Sequence, residues 1–370
     1  MRAIGVMSGT SMDGIDVALI ETDGERVSRF GPSAVYPYRE HEVEILRRAM
    51  EEAPALRSRT ERPGAIAEAE DLSTALHARA VQAFLTRNGI GRSTIGVIGY
   101  HGQTVLHRPK ENLTVQLGDA PTLARETGIP VVYDFRAADV AAGGQGAPLV
   151  PVYHLALTRA LNRRHPIVVL NLGGVANITF IDGATDPIAC DTGPANALID
   201  DFMRSRSGAA RDVDGQAAAT GRVDGDIIER LLQHPFFEQR CPKSLDRNEF
   251  REWLAGHGGL AEKSIEDGAA TLTMLTAATV ARIIDVLPRA PQSWIAAGGG
   301  ARNPTLVRML KDRLAPARVE TADQVGWSID ALEAQAFAFL AVRSLKGLPL
   351  TFPTTTGAPK PMHGGVLITQ

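Results

Sequence analysis

One unit occurs twice in this chain, and that recurrence limits the fold more than any other feature. An apolar run from Ala3 to Ser8 enters Gly9-Thr10-Ser11-Met12-Asp13-Gly14, and a second apolar run follows from Ile15 to Ile20. Asp-Gly between two such runs predicts a hairpin turn. About half a chain later, Pro166 to Leu172 runs into Gly173-Gly174 and then Val175 to Ile181. What comes after each unit also matches. Residues 65–88 carry apolar positions at helical spacing (Ile66, Leu72, Leu76, Ala80, Val81, Phe84). A strand from Thr94 to Gly99 then ends at Tyr100-His101-Gly102. In the second half a helix over 269–287 leads to Ser293–Ala297 and Gly298-Gly299-Gly300. Each turn is followed by a short helix with proline near its first position, at Pro121 and at Pro304, as helix starts favour. Extended runs, Ile129–Tyr133 and Arg318–Thr321, close each series. Any α/β chain alternates strands with helices. The shared order and the coinciding glycines favour a duplication instead, with two α/β halves facing a cleft where a ligand would bind.

A length of 370 residues suits two domains. We expect one lobe from residues 1–137 with about 348–370, and a second from 138–347. Residues 204–268, charged and helical in propensity, read as an insertion in the second half. The Pro-, Thr- and Gly-rich stretch 349–361 reads as an ordered loop or surface tail. Net charge is −3, which speaks against a nucleic-acid or anionic-membrane binder. The two cysteines, Cys190 and Cys241, make no disulfide framework, and a reducing cytoplasm is the simpler expectation. The first residues lack the ordered regions of a signal peptide. No apolar run reaches the length of a membrane span.

Several turns carry candidate chemistry. In Gly9-Thr10-Ser11-Met12-Asp13-Gly14-Ile15-Asp16, glycines let phosphate approach backbone amides, hydroxyls add donors, and Asp13 or Asp16 can hold hydrated Mg2+. No lysine follows, so this is not a Walker loop. Asn171-Leu172-Gly173-Gly174-Val175-Ala176-Asn177 has the same character. Taken alone, such a turn reads as a plain hairpin; the pair, one per half, is the arrangement that grips phosphates in actin-like ATPases. Gly298-Gly299-Gly300, with Asn303, lets a flat base or ribose lie against the backbone. Asp191, just before a helix expected near Pro194, reads as a general base beside helix amides or as a simple cap. Arg136 suits a carboxylate or phosphate. His101 reads equally as a ligand contact or as a structural histidine. Glu333 opens the last long helix, where a carboxylate favours the helix dipole or points toward a ligand.

Taken together, these segments resemble the anhydro-N-acetylmuramic acid kinase family. The likeness also takes in Gly102-Gln103-Thr104, Gln116-Leu117-Gly118-Asp119-Ala120, Asp134-Phe135-Arg136, Asp191-Thr192-Gly193-Pro194, Glu333-Ala334-Gln335-Ala336-Phe337 and Thr356-Gly357-Ala358, so it covers nearly the whole chain. It implies a two-domain actin-like ATPase fold, a duplicated ribonuclease H-like α/β architecture with an interdomain cleft. It implies ATP and Mg2+ as cofactors, and 1,6-anhydro-N-acetylmuramic acid as an amino-sugar substrate hydrolytically opened and phosphorylated on O6 in cell-wall recycling. Asp191 would be the base, Arg136, Glu333 and His101 would contact the sugar, and the protein would be a cytoplasmic homodimer. Two departures stand out. Met7-Ser8 occupies the place of an aspartate usual in the wider superfamily, and Cys241-Pro242-Lys243-Ser244-Leu245-Asp246 replaces the common Pro-Pro-Lys-Ser-Thr-Gly. Two rival functions are a kinase acting on an ordinary sugar hydroxyl and a non-enzymatic ATP switch.

Overall fold

The computed structural model describes residues 1–369. The chain divides into two compact units, Met1–Leu161 with Asp330–Gln370, and Asn162–Ile329. Both follow one plan. In the first unit, strands β1 (Arg2–Ser8), β2 (Gly14–Thr22) and β3 (Val27–Pro37) form an antiparallel meander. β4 (Val97–Arg108) joins β1 in parallel, and β6 (Val131–Tyr133) joins β4 in parallel. β5 (Leu113–Leu117) folds back on the far half of β4. In the second unit, β7 (Ile167–Leu172), β8 (Val175–Ile181) and β9 (Ile188–Pro194) repeat the meander. β10 (Ser293–Ala297) lies parallel to β7, and β11 (Arg318–Thr321) lies parallel to β10. β12 (Val366–Ile368) closes the first sheet against β6. Setting aside β5 and β12, the two sheets run β3-β2-β1-β4-β6 and β9-β8-β7-β10-β11. Strand order and direction therefore coincide, which makes this the duplicated ribonuclease H-like fold of the actin-like ATPases.

Local sequence accounts for the shared elements. The helix Gly64–Arg87 buries Ala80, Val81 and Phe84 against β1, β2 and β4, and Ile66 against the far half of β4 and β5. The helices that follow β5 and β10 start at Ala120 and Pro304, each with proline in its first turn. They are capped by Asp119, which accepts from Thr122 N (3.3 Å), and by Asn303, which accepts from Leu306 N (3.0 Å). In the second unit, buried Val168, Leu170, Trp294 and Ala296 meet Leu306 and Leu310 in one cluster.

Four expectations need correcting. Helix Leu332–Leu345 and residues 138–161 belong with the first unit, not the second. The helix lies directly on β1 and β4 because those strands carry glycine beneath it. A Cβ on Gly5 would sit 2.7 Å from the Ala334 carbonyl carbon, and one on Gly99 would sit 2.6 Å from that of Phe337. Second, β4 does not end at Tyr100-His101-Gly102. Gly102 takes φ +72°, the register against β1 shifts there, and the strand continues to Arg108. Third, Cys190 and Cys241 are joined as a disulfide, with Cα atoms 5.5 Å apart. They lie 51 residues apart in sequence, and only the packing of the 204–268 segment beside β9 brings them together. That segment is helical, with its own apolar cluster including Phe236, Phe237 and Phe250. The 349–361 stretch is ordered: buried Asp139 accepts hydrogen bonds from Thr351 and from Thr356 (2.7 Å). Fourth, by length and composition Ile265–Val286 is apolar enough to cross a membrane, contrary to the sequence reading, but most of its apolar stretch is buried inside the protein.

Candidate functional site

The turn between β1 and β2 is a compact loop. Met12 N donates to Gly9 O (3.2 Å), Gln103 Nε2 braces the same carbonyl (3.1 Å), and Ser11 Oγ donates to Asp13 Oδ1 (2.8 Å). Thr10, Ser11 and Asp13 are exposed. The positive φ falls on Met12 (+55°), not on the Asp-Gly pair. Gly14 instead opens β2, where a Cβ would meet Tyr36 O at 2.7 Å. Ile15 is buried in the core, so it offers a ligand only its backbone. Asp16 is pushed up to about 7 by burial first, and then by Asp13, Glu333 and Asp330. Carboxylates of the first turn and of the last helix thus bear on one another, which fits a cation. Among the described residues no group of three or more His, Cys, Asp or Glu is placed to hold a metal directly. Asp13 and Asp16 therefore suit a hydrated Mg2+, a hard ion that keeps several waters.

Arg136, His101 and Glu333 belong to the same unit and influence one another. Arg136 Nε and Nη2 reach His101 Nε2 (3.2 and 2.9 Å), and Nη1 donates to Gly146 O (2.8 Å). Burial, and then Arg136, hold His101 well below its ordinary range, so the ring is neutral and accepts through Nε2. Its face packs on Phe337 at 4.5 Å. Burial lowers Arg136 to about 10, opposed by Glu333 and Asp139, so it keeps its charge at neutral pH. Glu333 reaches solvent yet sits among protein atoms that raise its pKa, while Arg136 lowers it. His101 also lines a cavity of about 380 Å³ with Arg59, Arg62, Tyr100, Gln116 and Asp134. Arg59 pairs with Asp134 (2.5 Å) and Arg62 with Glu70 (2.8 Å). Sequence reading missed Arg59 and Arg62, because they lie in an irregular link with no periodic pattern.

In the second unit the sheet register assembles a polar row. Ala297 pairs with Asn171, Asn171 with Asn177, and Asn177 with Asp191. Directly opposed residues project to one face, so Asn171, Asn177 and Asp191 line up across β7, β8 and β9. Asp191 lies within β9, which rules out the helix-cap reading. The helix begins only at Asn196, and its first amides are engaged: Ala195 N and Ala197 N donate to Gly174 O (3.1 and 3.2 Å), and Asn196 N donates to Gly173 O (3.0 Å). The amides at that helix start are therefore used to tie down the glycine turn. Asp191 Oδ2 accepts from Leu245 N (2.8 Å) and Ser244 Oγ (3.3 Å). Burial raises its pKa, opposed by those two bonds and by Lys243.

The glycine triplet has structural reasons of its own. Gly298 takes φ +76° with Asn171 Oδ1 against the place of a Cβ, and a Cβ on Gly300 would lie 2.7 Å from Leu172 Cβ. Only Gly299 is exposed, so two of the three serve packing. A cavity of about 220 Å³ opens beside Gly299, Gly300 and Asn303, also lined by Asp200, Arg211 and Asp212. Asn303 keeps its side chain as a helix cap there. Sequence reading missed Asp200, Arg211 and Asp212, since nothing in the pattern ties the helix Asn196–Ser207 or the insertion to this turn.

The profile of the family described as anhydro-N-acetylmuramic acid kinase matches residues 1–370. Relatives named anhydro-N-acetylmuramic acid kinase include those of Nitrobacter winogradskyi, 59% identical over 99% of both chains, and Rhodopseudomonas palustris, 58% identical over 99% of both. Solved structures similar to the chain include component A of the (R)-2-hydroxyglutaryl-CoA dehydratase of Acidaminococcus fermentans, 11% identical over 92% of this chain and 99% of that one, TM-score 0.48. Another is a ROK family glucokinase of Streptomyces griseus, 14% identical over 92% and 99%, TM-score 0.40. With full-length identity at this level, the chain belongs to the anhydro-N-acetylmuramic acid kinase family.

Proposed function

We propose that this chain performs its family's reaction with Asp191 as general base. ATP, 1,6-anhydro-N-acetylmuramic acid and water give ADP and N-acetylmuramic acid 6-phosphate, a step in cell-wall recycling. Asp191 takes a proton from water as the water oxygen bonds to the anomeric carbon. The bond from that carbon to O6 breaks, and O6 bonds to the γ-phosphorus as the bond to ADP breaks. Carbon–oxygen cleavage is assisted because the departing oxygen is captured by phosphorus. The single observation that carries this reading is the row Asn171–Asn177–Asp191, which sets a desolvated carboxylate at the end of the glycine turn. Burial makes Asp191 a stronger base than a solvated aspartate, and Oδ1 takes no part in the bonds that fix Oδ2.

The turns at Gly9–Asp16 and Asn171–Asn177 would supply backbone amides to the phosphates. Gly299 and Asn303 would flank the adenosine. Asp13 and Asp16 would hold Mg2+ through water, and that ion when bound offsets phosphate charge. Arg136 and Glu333 would orient the sugar, with His101 holding Arg136 in place. The need for ATP supports a cytoplasmic location, and the family resemblance supports a homodimer.

The test is ADP release with the anhydro-sugar in 18O-labelled water, parent against Asp191→Asn. Asparagine keeps an acceptor for Leu245 N, so the fold should persist while turnover falls about 10²- to 10⁴-fold. Label should appear at the anomeric hydroxyl. Normal turnover by the variant would refute the base assignment. Label absent from that oxygen would refute hydrolytic opening.

A further inference from the structure

We propose that Lys243 and Ser244 are positioning residues that hold Asp191 against the edge of β9 and fix which carboxylate oxygen is free to act. This rests on the reading of Asp191 as the base. β9 is an edge strand of its sheet. An edge strand leaves backbone groups unpaired, and segment 241–245 takes up the one that matters: Asp191 N donates to Lys243 O (2.9 Å). The next two residues return to the side chain of the same aspartate, with Ser244 Oγ (3.3 Å) and Leu245 N (2.8 Å) both on Oδ2. One aspartate therefore receives three contacts from three consecutive residues.

The segment is itself anchored. Cys241 is bonded to Cys190, the neighbour of Asp191. Lys243 Nζ donates to Phe236 O (3.1 Å) and lies 4.3 Å from the centre of the Phe236 ring. Leu245 is buried in the cluster with Phe236, Phe237 and Phe250. Asp246 caps the following helix, accepting from Asn248 N (2.8 Å) and Glu249 N (3.2 Å). A loop pinned at both ends is built to hold something still.

The charges are consistent with this placement. Lys243 is brought down to about 8 by burial, and next by Arg282, while Asp191 opposes. Lys243 is the cation that favours the ionised form of Asp191. Hydrogen bonds to an ionised carboxylate favour that form too, so the segment offsets the desolvation that would leave the base protonated.

The test uses the full-length enzyme with MgATP and 1,6-anhydro-N-acetylmuramic acid. Ser244→Ala is compared with Ser244→Thr, Lys243→Met with Lys243→Arg, and Asp191→Asn runs alongside. Ser244→Ala should lower kcat about tenfold, the size expected for a hydrogen bond to a charged group. KM for ATP should stay within about twofold, since the segment is assigned no ATP contact. The acid limb of kcat/KM should move to higher pH in Ser244→Ala and in Lys243→Met, and Ser244→Thr and Lys243→Arg should restore it. Parent-like kcat and acid limb in both Ser244→Ala and Lys243→Met would overturn the proposal while Asp191→Asn is inactive. A drop in activity with an unmoved acid limb and no rescue by threonine would also overturn it, as the mark of a merely structural loop. If Asp191→Asn itself turned over normally, the base assignment would fall first, whatever the loop variants did.

Discussion

Gly99→Ala tests whether the last long helix is seated by the absence of two side chains. The added methyl would lie 2.6 Å from the Phe337 carbonyl carbon and 3.1 Å from Ala341 Cβ, where ordinary contact begins at 3.4 Å. The nearest atoms are backbone, so no rotamer change relieves them. Helix Leu332–Leu345 must retreat by about 1 Å across a core buried on both sides, and dispersion contacts are lost wherever a gap opens. Overpacking of this kind reaches about 3 kcal/mol when the obstruction cannot rotate away. For a unit of this size that corresponds to a fall in Tm of about 6–12 °C. Glu333 rides on the same helix, so KM for the anhydro-sugar should rise as well. Thermal unfolding followed by circular dichroism gives the first quantity and coupled ADP release the second. Gly256→Ala is the control: its Cβ meets nothing within 4 Å, so Tm should hold or rise slightly. A Gly99→Ala protein melting within about 2 °C of the parent would refute the packing argument.

Three further outcomes follow from the site. Asp16 has a folded pKa of about 7 against an ordinary 3.8, so the folded state holds the extra proton between those values, and stability should fall as pH rises through that window. Asp16→Asn should flatten the slope of Tm against pH, and an unchanged slope would show that other groups cause it. Arg136→Lys replaces a fork on His101 and Gly146 with a point charge, and should raise KM for the sugar about tenfold with KM for ATP unchanged; equal rises in both would remove Arg136 from sugar binding. Thiol titration in denaturant without reductant should find no free cysteine, and two after reduction. Two thiols found at the outset would show that the pair is reduced in the isolated protein, as is usual in a cytoplasm.

Much of the fold was legible because it is local. Apolar spacing over 65–88, prolines at helix starts and glycine pairs between apolar runs each act within a few residues, and all reappear as elements. The break at His101-Gly102 was misread because a glycine at φ +72° looks the same in sequence whether it ends a strand or bends one. Of the candidate site, Asp191 and the glycine turns were visible as unusual residues on apolar segments. Their row across three strands was not, since register is a property of pairing. Arg59, Arg62 and Arg211 left no signal because the segments carrying them are irregular and find their neighbours only through long-range packing; the segment with Ser244 stood out as a departure from the family motif, but nothing in it pointed to Asp191.

The chain alone determined that it would build the same α/β unit twice, because strand–turn–strand hairpins and amphipathic helices follow from backbone sterics and the period of apolar residues. Tertiary structure decided which helix belongs to which unit, that Gly5 and Gly99 are there to admit a backbone, and that Cys241 to Leu245 gather around Asp191. Those facts concern close approach between residues distant in sequence, and nothing along the chain records a distance that exists only after folding.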